Sequence, residues 1–224
     1  MSKNGTATVQ ADLLAALLSS AQRAGADAAD AMATRAASIS TTVRQGQVED
    51  TEHAVTVKLG LRVFTGQRVA SVSTTVTSSD TFDALAEQAV AMSRALPENP
   101  YVSLAKREIK GQLDAGQAAL HDGSNLPSLE TLQKMALEAE NSALAQQGIS
   151  KSNGASASSW HAQFALADSD GFAAQSSETI FGNSISVIAG QGDNMQRDYA
   201  SHVTRRLSDL DPPALLGRRR LSVP

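Results

Sequence analysis

Few residues of this chain have the type and spacing that chemistry requires. Its imidazoles are His53, His121, His161 and His202, and it contains no cysteine. A zinc peptidase helix needs two imidazoles one turn apart, with a glutamate between them to activate the water. No two of these histidines lie closer than His121 and His161, and no HExxH or HExxxH run occurs anywhere in the sequence. Each histidine therefore reads as a surface or sheet-edge residue, and neither a metal ligand set nor a catalytic residue is expected in this chain. The absence of cysteine removes disulfides, thiolate-held zinc, thiol nucleophiles and most iron–sulfur ligation.

Other nucleophile and phosphate motifs fail on spacing. Serines are frequent, yet there is no G-x-S-x-G elbow, no Ser-x-x-Lys with its partner motifs and no GxxxxGK loop. Gly190-Gln191-Gly192 imitates the start of a dinucleotide fingerprint, but Met195 stands where the third glycine belongs. Glu138 and Glu140 are two apart, on different faces of a helix, and form no close pair. Asp168 and Asp170 before Gly171 read as a turn, because the other ligands of a calcium loop are missing. Arg205-Arg206 and Arg218 to Arg220 read as solvated basic faces.

These side chains must be positioned by elements whose composition is ordinary. The chain has 224 residues, 42% hydrophobic and 19% charged, with a formal net charge of -4. That is the composition of a soluble globular protein of one or two domains. Aromatics reach only 4%, so alanine, valine and leucine must build the core. An acidic balance without aromatic-interleaved basic patches gives no footprint for nucleic acid. Leu13 to Leu18 is too short to span a bilayer and lacks the flanks of a signal peptide. A cytoplasmic protein is expected.

Apolar spacing of three and four predicts a helix from Gln10 to Ala24, stopped by Gly25. Alternation at Ala37, Ile39, Thr41 and Val43 predicts a strand that turns at Gln45-Gly46-Gln47. Val55, Val57, Leu59, Leu61 and Val63 predict the inward face of the next strand, and Thr65-Gly66 returns the chain into Ala70 to Val76. Ser79 is placed to cap a second helix running to Leu96. Glycines and prolines from Pro97 to Pro127 mark a connector. The order of elements then repeats. Ser128 starts a helix ending near Gly148, and Asn153-Gly154, Asp170-Gly171, Gly182-Asn183 and Gly192-Asp193-Asn194 punctuate strands that include Ala162 to Leu166, Ile185 to Ala189 and Tyr199 to Val203. Asp211-Pro212-Pro213 launches a last helix. The expected fold is α+β: two consecutive regions of antiparallel sheet packed with helices, over 10–97 and 128–219, joined by a connector at 98–127.

Several blocks, in order, carry a resemblance. They are GADAAD (Gly25 to Asp30), VRQGQVED (Val43 to Asp50), LGLRVFTGQRVASVSTT (Leu59 to Thr75) and ALPENPYVSLA (Ala95 to Ala105), followed by ISKSNGASAS (Ile149 to Ser158), LADSDGF (Leu166 to Phe172), SVIAGQGDNMQRDY (Ser186 to Tyr199) and DLDPPALLGRR (Asp209 to Arg219). Together they resemble the PmbA/TldD family, more closely its PmbA (TldE) branch, over about residues 10 to 219. The resemblance implies the family's N-terminal and central α+β domains and a non-catalytic subunit that pairs with a TldD-type zinc metallopeptidase in peptide maturation and proteolysis. It places the zinc in that TldD-like partner and implies no cofactor in this chain. Family membership also raises two alternatives, a stand-alone metallopeptidase and a DNA gyrase-modulating protein. Family members continue past the DLDPPALLG segment into a C-terminal domain. Here Gly217-Arg218-Arg219 gives way to Arg220 to Pro224, so the resemblance implies a fragment or a frameshifted chain without that domain.

Sheet faces and edges rich in serine and threonine could pair with the TldD-like partner or an extended peptide by strand addition. Glu52, Lys58, Arg62 and Arg68 lie on or near such a surface and are the candidate interaction residues. Neither membrane nor nucleic acid is expected as a partner.

Overall fold

The computed structural model describes residues 3–105 and 120–218 of the chain. Helix α1 (Lys3–Arg23) is followed by β1 (Ala28–Arg44), β2 (Gln47–Thr65), β3 (Arg68–Thr74) and α2 (Phe82–Ala95). The same order then recurs as α3 (Leu129–Leu144), β4 (Ile149–Asp168), β5 (Ala173–Ala189), β6 (Gln196–Thr204) and α4 (Pro213–Arg218). The strands form an antiparallel sheet in the order β3-β2-β1-β4-β5-β6. This is the α+β fold that the sequence predicts, including the repeated order of elements. Among the described residues, 3–36, 56–105 and 162–177 group into one compact unit and 37–55, 120–161 and 178–218 into another. Strands β1, β2, β4 and β5 are 17 to 20 residues long, and each gives residues to both units.

The first unit is built on α1 and α2. Leu14, Leu17 and Ala21 form the buried stripe of α1, and Phe82, Ala86, Ala89 and Val90 that of α2. Both stripes follow the three- and four-residue spacing of one helix face. They close on Leu59, Leu61 and Val63 of β2 and Ala70 of β3. Each large side chain removed from water here contributes about 1.5–3 kcal/mol. Gly25, at a φ of 92°, ends α1 in a Schellman motif: the Ala26 amide donates to the Ala21 carbonyl at 3.1 Å and the Gly25 amide to the Gln22 carbonyl at 3.0 Å. The β2–β3 hairpin turns at Gly66-Gln67, with Thr65 paired to Arg68 and Leu59 to Thr74.

The second unit packs α3 and α4 on the sheet. Leu132, Ala136, Ala139 and Ala143 of α3 meet Val43, Ala155, Ala157, Ile185 and Val187, and the fully buried Leu216 of α4 joins them. The predicted cap is present: the Ser128 hydroxyl accepts from the Thr131 amide at 3.2 Å. Pro213 occupies the first position of α4, where its missing N–H costs nothing. The predicted turn at Gln45-Gly46 is also present, with φ of 54° and 73° at its two central residues, the pattern of a type I′ hairpin.

Five local expectations are corrected. Asn153-Gly154 and Gly182-Asn183 lie inside β4 and β5 rather than in turns. Gly182 marks a close approach instead, since a Cβ there would come within 3.2 Å of the Ser158 hydroxyl, and Gly154 takes a φ of 119°, which favours glycine. Ser79 does not cap α2. A short 3-10 turn over Ser79–Thr81 precedes Phe82, and Thr81 stands at the cap position, its hydroxyl donating back to the Ser78 carbonyl at 2.8 Å rather than capping the helix. Strand β1 begins nine residues before Ala37, because its inward Ala29, Ala31 and Ala33 are too weakly apolar to show as an alternation. Val55 is 52% exposed, so the hydrophobic face of β2 begins at Leu59. In β4 the buried positions run Ala162, Ala165 and Asp168, out of step with the predicted Ala162, Phe164 and Leu166. The connector glycines Gly111 and Gly116, and the departure from the family at Arg220 to Pro224, lie outside the described residues.

Candidate functional site

The four histidines are dispersed by the strands that carry them. His53 is exposed on β2, in the second unit. His202 sits on β6, where the register places it opposite Asn183. Its Nδ1 accepts from the Asp211 amide at 2.9 Å, and the Asn183 side-chain amide donates to the Asp211 carbonyl at 3.0 Å. An Nδ1 that accepts puts the neutral ring's proton on Nε2. These bonds fasten the residues leading into α4 to the edge of the sheet. His121 and His161 meet, with ring centroids 5.4 Å apart and planes tilted by 42°. Among the described residues no three His, Cys, Asp or Glu side chains are grouped so as to hold a metal ion.

The candidate interaction residues fall on β2 and β3. Glu52 and Lys58 are exposed on β2, in different units. Arg62, 46% exposed at its side chain, donates through Nε to both oxygens of Asp30, at 3.2 and 3.1 Å, and through Nη2 to Oδ2. Its guanidinium carbon stands 5.4 Å from the centre of the Phe64 ring. The β2–β3 register pairs Arg62 with Ser71, so Arg68, three residues before Ser71, points to the other face. There its Nε donates to the Leu96 carbonyl at 3.0 Å and its Nη2 lies 3.0 Å from Glu98. Arg62 and Arg68 are thus both engaged by carboxylates of their own unit.

Two carboxylates that sequence reasoning missed organise the second unit. Glu140, fully buried on α3, accepts from the amides of Gln45 at 2.9 Å and Gly46 at 2.7 Å, one oxygen each. Asp122 accepts from the Ser124 amide at 2.9 Å and the Leu207 amide at 2.8 Å. The Leu207 bond, followed by that of Ser124, holds the Asp122 carboxyl below its ordinary value.

A groove of about 330 Å³ opens on the second unit's sheet, on the face turned away from α3. Alternation puts Val43, Ala155, Ala157, Ile185 and Val187 under the helix, and their neighbours Thr42, Ser156, Ser184 and Ser186 toward the groove. The Thr42 and Ser156 hydroxyls pair across β1 and β4 at 2.9 Å. The β5–β6 register sets Tyr199 opposite Ser186 and Ser201 opposite Ser184. Arg197 completes the lining, its Nε donating to the Ser186 hydroxyl at 2.9 Å. Tyr199 is 74% exposed. The serines and threonines of this face are legible in the sequence, whereas the β5–β6 register is what places Arg197 and Tyr199 beside them.

Residues 29–93 match the model of the PmbA/TldA metallopeptidase domain 1, and residues 123–219 match that of the PmbA/TldA metallopeptidase central domain. The chain belongs to the PmbA/TldD family. It is 28% identical over 198 residues to a metalloprotease PmbA homolog of Haemophilus influenzae, covering 88% of this chain and 43% of that protein. Among solved structures, a candidate modulator of DNA gyrase from Bacteroides thetaiotaomicron is similar with a TM-score of 0.75 at 17% identity, over 92% of this chain and 47% of that one. TldE from Thermococcus kodakarensis is similar with a TM-score of 0.71 at 12% identity, over 92% and 46%. At such identities the structural likeness shows the fold alone. The PmbA/TldD chain described here spans less than half the length of these relatives. Among its described residues no helix is long and apolar enough to cross a membrane.

Proposed function

We propose that this chain acts as a non-catalytic, PmbA/TldE-type partner of a TldD-type zinc metallopeptidase in the cytoplasm, in the maturation and proteolysis of peptides. The observation that carries the reading is the match to two consecutive family models, at residues 29–93 and 123–219, in a chain without HExxH or HExxxH. The 28% identity to a PmbA homolog supports the same branch. Zinc then belongs to the TldD-type subunit, and extended peptides are the substrates of the pair. Glu52 and Lys58, each exposed on β2, are separate candidate contacts for the partner.

Metal analysis together with a peptide-hydrolysis assay tests this division of labour. The purified chain is expected to carry no stoichiometric zinc and to cleave no peptide, whereas the TldD-type protein of the same organism carries zinc. Zinc bound at one per chain, with hydrolysis by the chain alone, would overturn the proposal in favour of a stand-alone peptidase.

A further inference from the structure

We propose that the groove over Thr42, Ser156, Ser184 and Ser186 is a binding site for a small organic anion, whose carboxylate or phosphate group sits on Arg197. The groove lies within one unit of this chain, so the proposal does not depend on the partner subunit.

Charge supports an anion. Arg197 is the one charged side chain among the described residues that line the groove, and no carboxylate does. Its neighbour Asp198 falls on the opposite side of β6 by alternation. The Arg197 Nε bond to the Ser186 hydroxyl uses one of five N–H donors and fixes the direction of the fork. The remaining donors have the planar geometry that suits a carboxylate or phosphate, and among the described residues no ion pair occupies them.

The floor of the groove supports an organic ligand rather than a bare ion. Hydroxyls of Ser184 and Ser201 lie opposite each other on β5 and β6, and each can donate or accept. Tyr199 extends from the same face of β6 as Arg197, two residues along, and at 74% exposure it offers a ring to flank the ligand. The volume of about 330 Å³ lies at the small end of the range for ligand sites.

Two sources carry this chemistry, a peptide C-terminus and a phosphate ester. Titration calorimetry on the whole chain separates them, with inorganic phosphate, the dipeptide Gly-Ser and its C-terminal amide as probes. Saturable binding of phosphate or of the free-acid dipeptide is expected. If a peptide end is the ligand, the free acid binds and the amide does not; if a phosphate ester is, phosphate binds and the dipeptide does not. Arg197→Ala is expected to weaken binding at least about tenfold, and Arg197→Lys, which keeps the charge and loses the fork, to weaken it less. Arg197 is exposed, so both variants should retain the parent's thermal unfolding curve, which is measured alongside. No saturation by either anion up to about 10 mM, or binding unchanged in Arg197→Ala, would overturn the proposal.

Discussion

Removing the Glu140 carboxylate is the most informative structural perturbation of the second unit. Glu140 is a charged residue type with no exposed surface, and both of its oxygens accept backbone amides of the β1–β2 turn. The turn needs that support. Gln45 takes a φ of 54° without being glycine, a conformation that costs an L-residue about 1–2 kcal/mol. In Glu140→Ala the Gln45 and Gly46 amides lose their acceptors. Charge-assisted bonds of this kind are worth about 1.5–3 kcal/mol each. The turn residues themselves are exposed, so water replaces part of the loss, and the expected destabilisation is about 2–4 kcal/mol. Glu140→Gln keeps one acceptor but turns an NH₂ toward the other amide, so it should recover less than half of that. Urea unfolding gives the free energies, and hydrogen exchange at Gln45 and Gly46 localises the effect. Both variants within about 0.5 kcal/mol of the parent, with unchanged exchange at the two amides, would refute the reasoning.

Three further outcomes are expected. The Asp122 carboxyl is held below its ordinary value by the Leu207 and Ser124 amides, so its contribution is complete above the unfolded-state value and is lost as pH falls through the lower folded value; Asp122→Asn should flatten the acid limb of a stability–pH curve, and an unchanged limb would count against those bonds. Ser128→Ala removes the acceptor of the Thr131 amide and should cost about 1 kcal/mol in chemical denaturation, with Ser128→Asp restoring most of it. Leu216→Ala empties a fully buried side chain of α4 and should cost about 2–5 kcal/mol, seen as a lowered urea midpoint; a loss under about 1 kcal/mol would mean that α4 is not anchored on α3.

What could be read from the sequence depended on whether a signal was local. The Ser128 cap, the Gln45-Gly46 turn and the helix stripes depend on residues a few positions apart, and all are in the structure. The glycine pairs at Asn153-Gly154 and Gly182-Asn183 misled because a strand, as well as a turn, can need glycine, for a positive φ at Gly154 and for close packing at Gly182. Ala29, Ala31 and Ala33 concealed the start of β1 because methyl groups bury little area. At the candidate site, the scattering of the histidines was legible, since residues so far apart in sequence give no local ligand set. Glu140 was not, because a carboxylate on a helix normally faces water and its partners lie in a hairpin 94 and 95 residues away. Arg197 and Tyr199 required the β5–β6 register, which fixes the face each residue occupies and is set by long-range pairing.

The central claim is that this PmbA/TldD chain works by joining a TldD-type subunit, and the mass of the mixture tests it most directly. Size-exclusion chromatography with light scattering, at micromolar concentrations of this chain and the TldD-type protein of the same organism, should give a new species containing both chains in equal number. Two separate peaks, each at the mass it shows alone, would contradict the account.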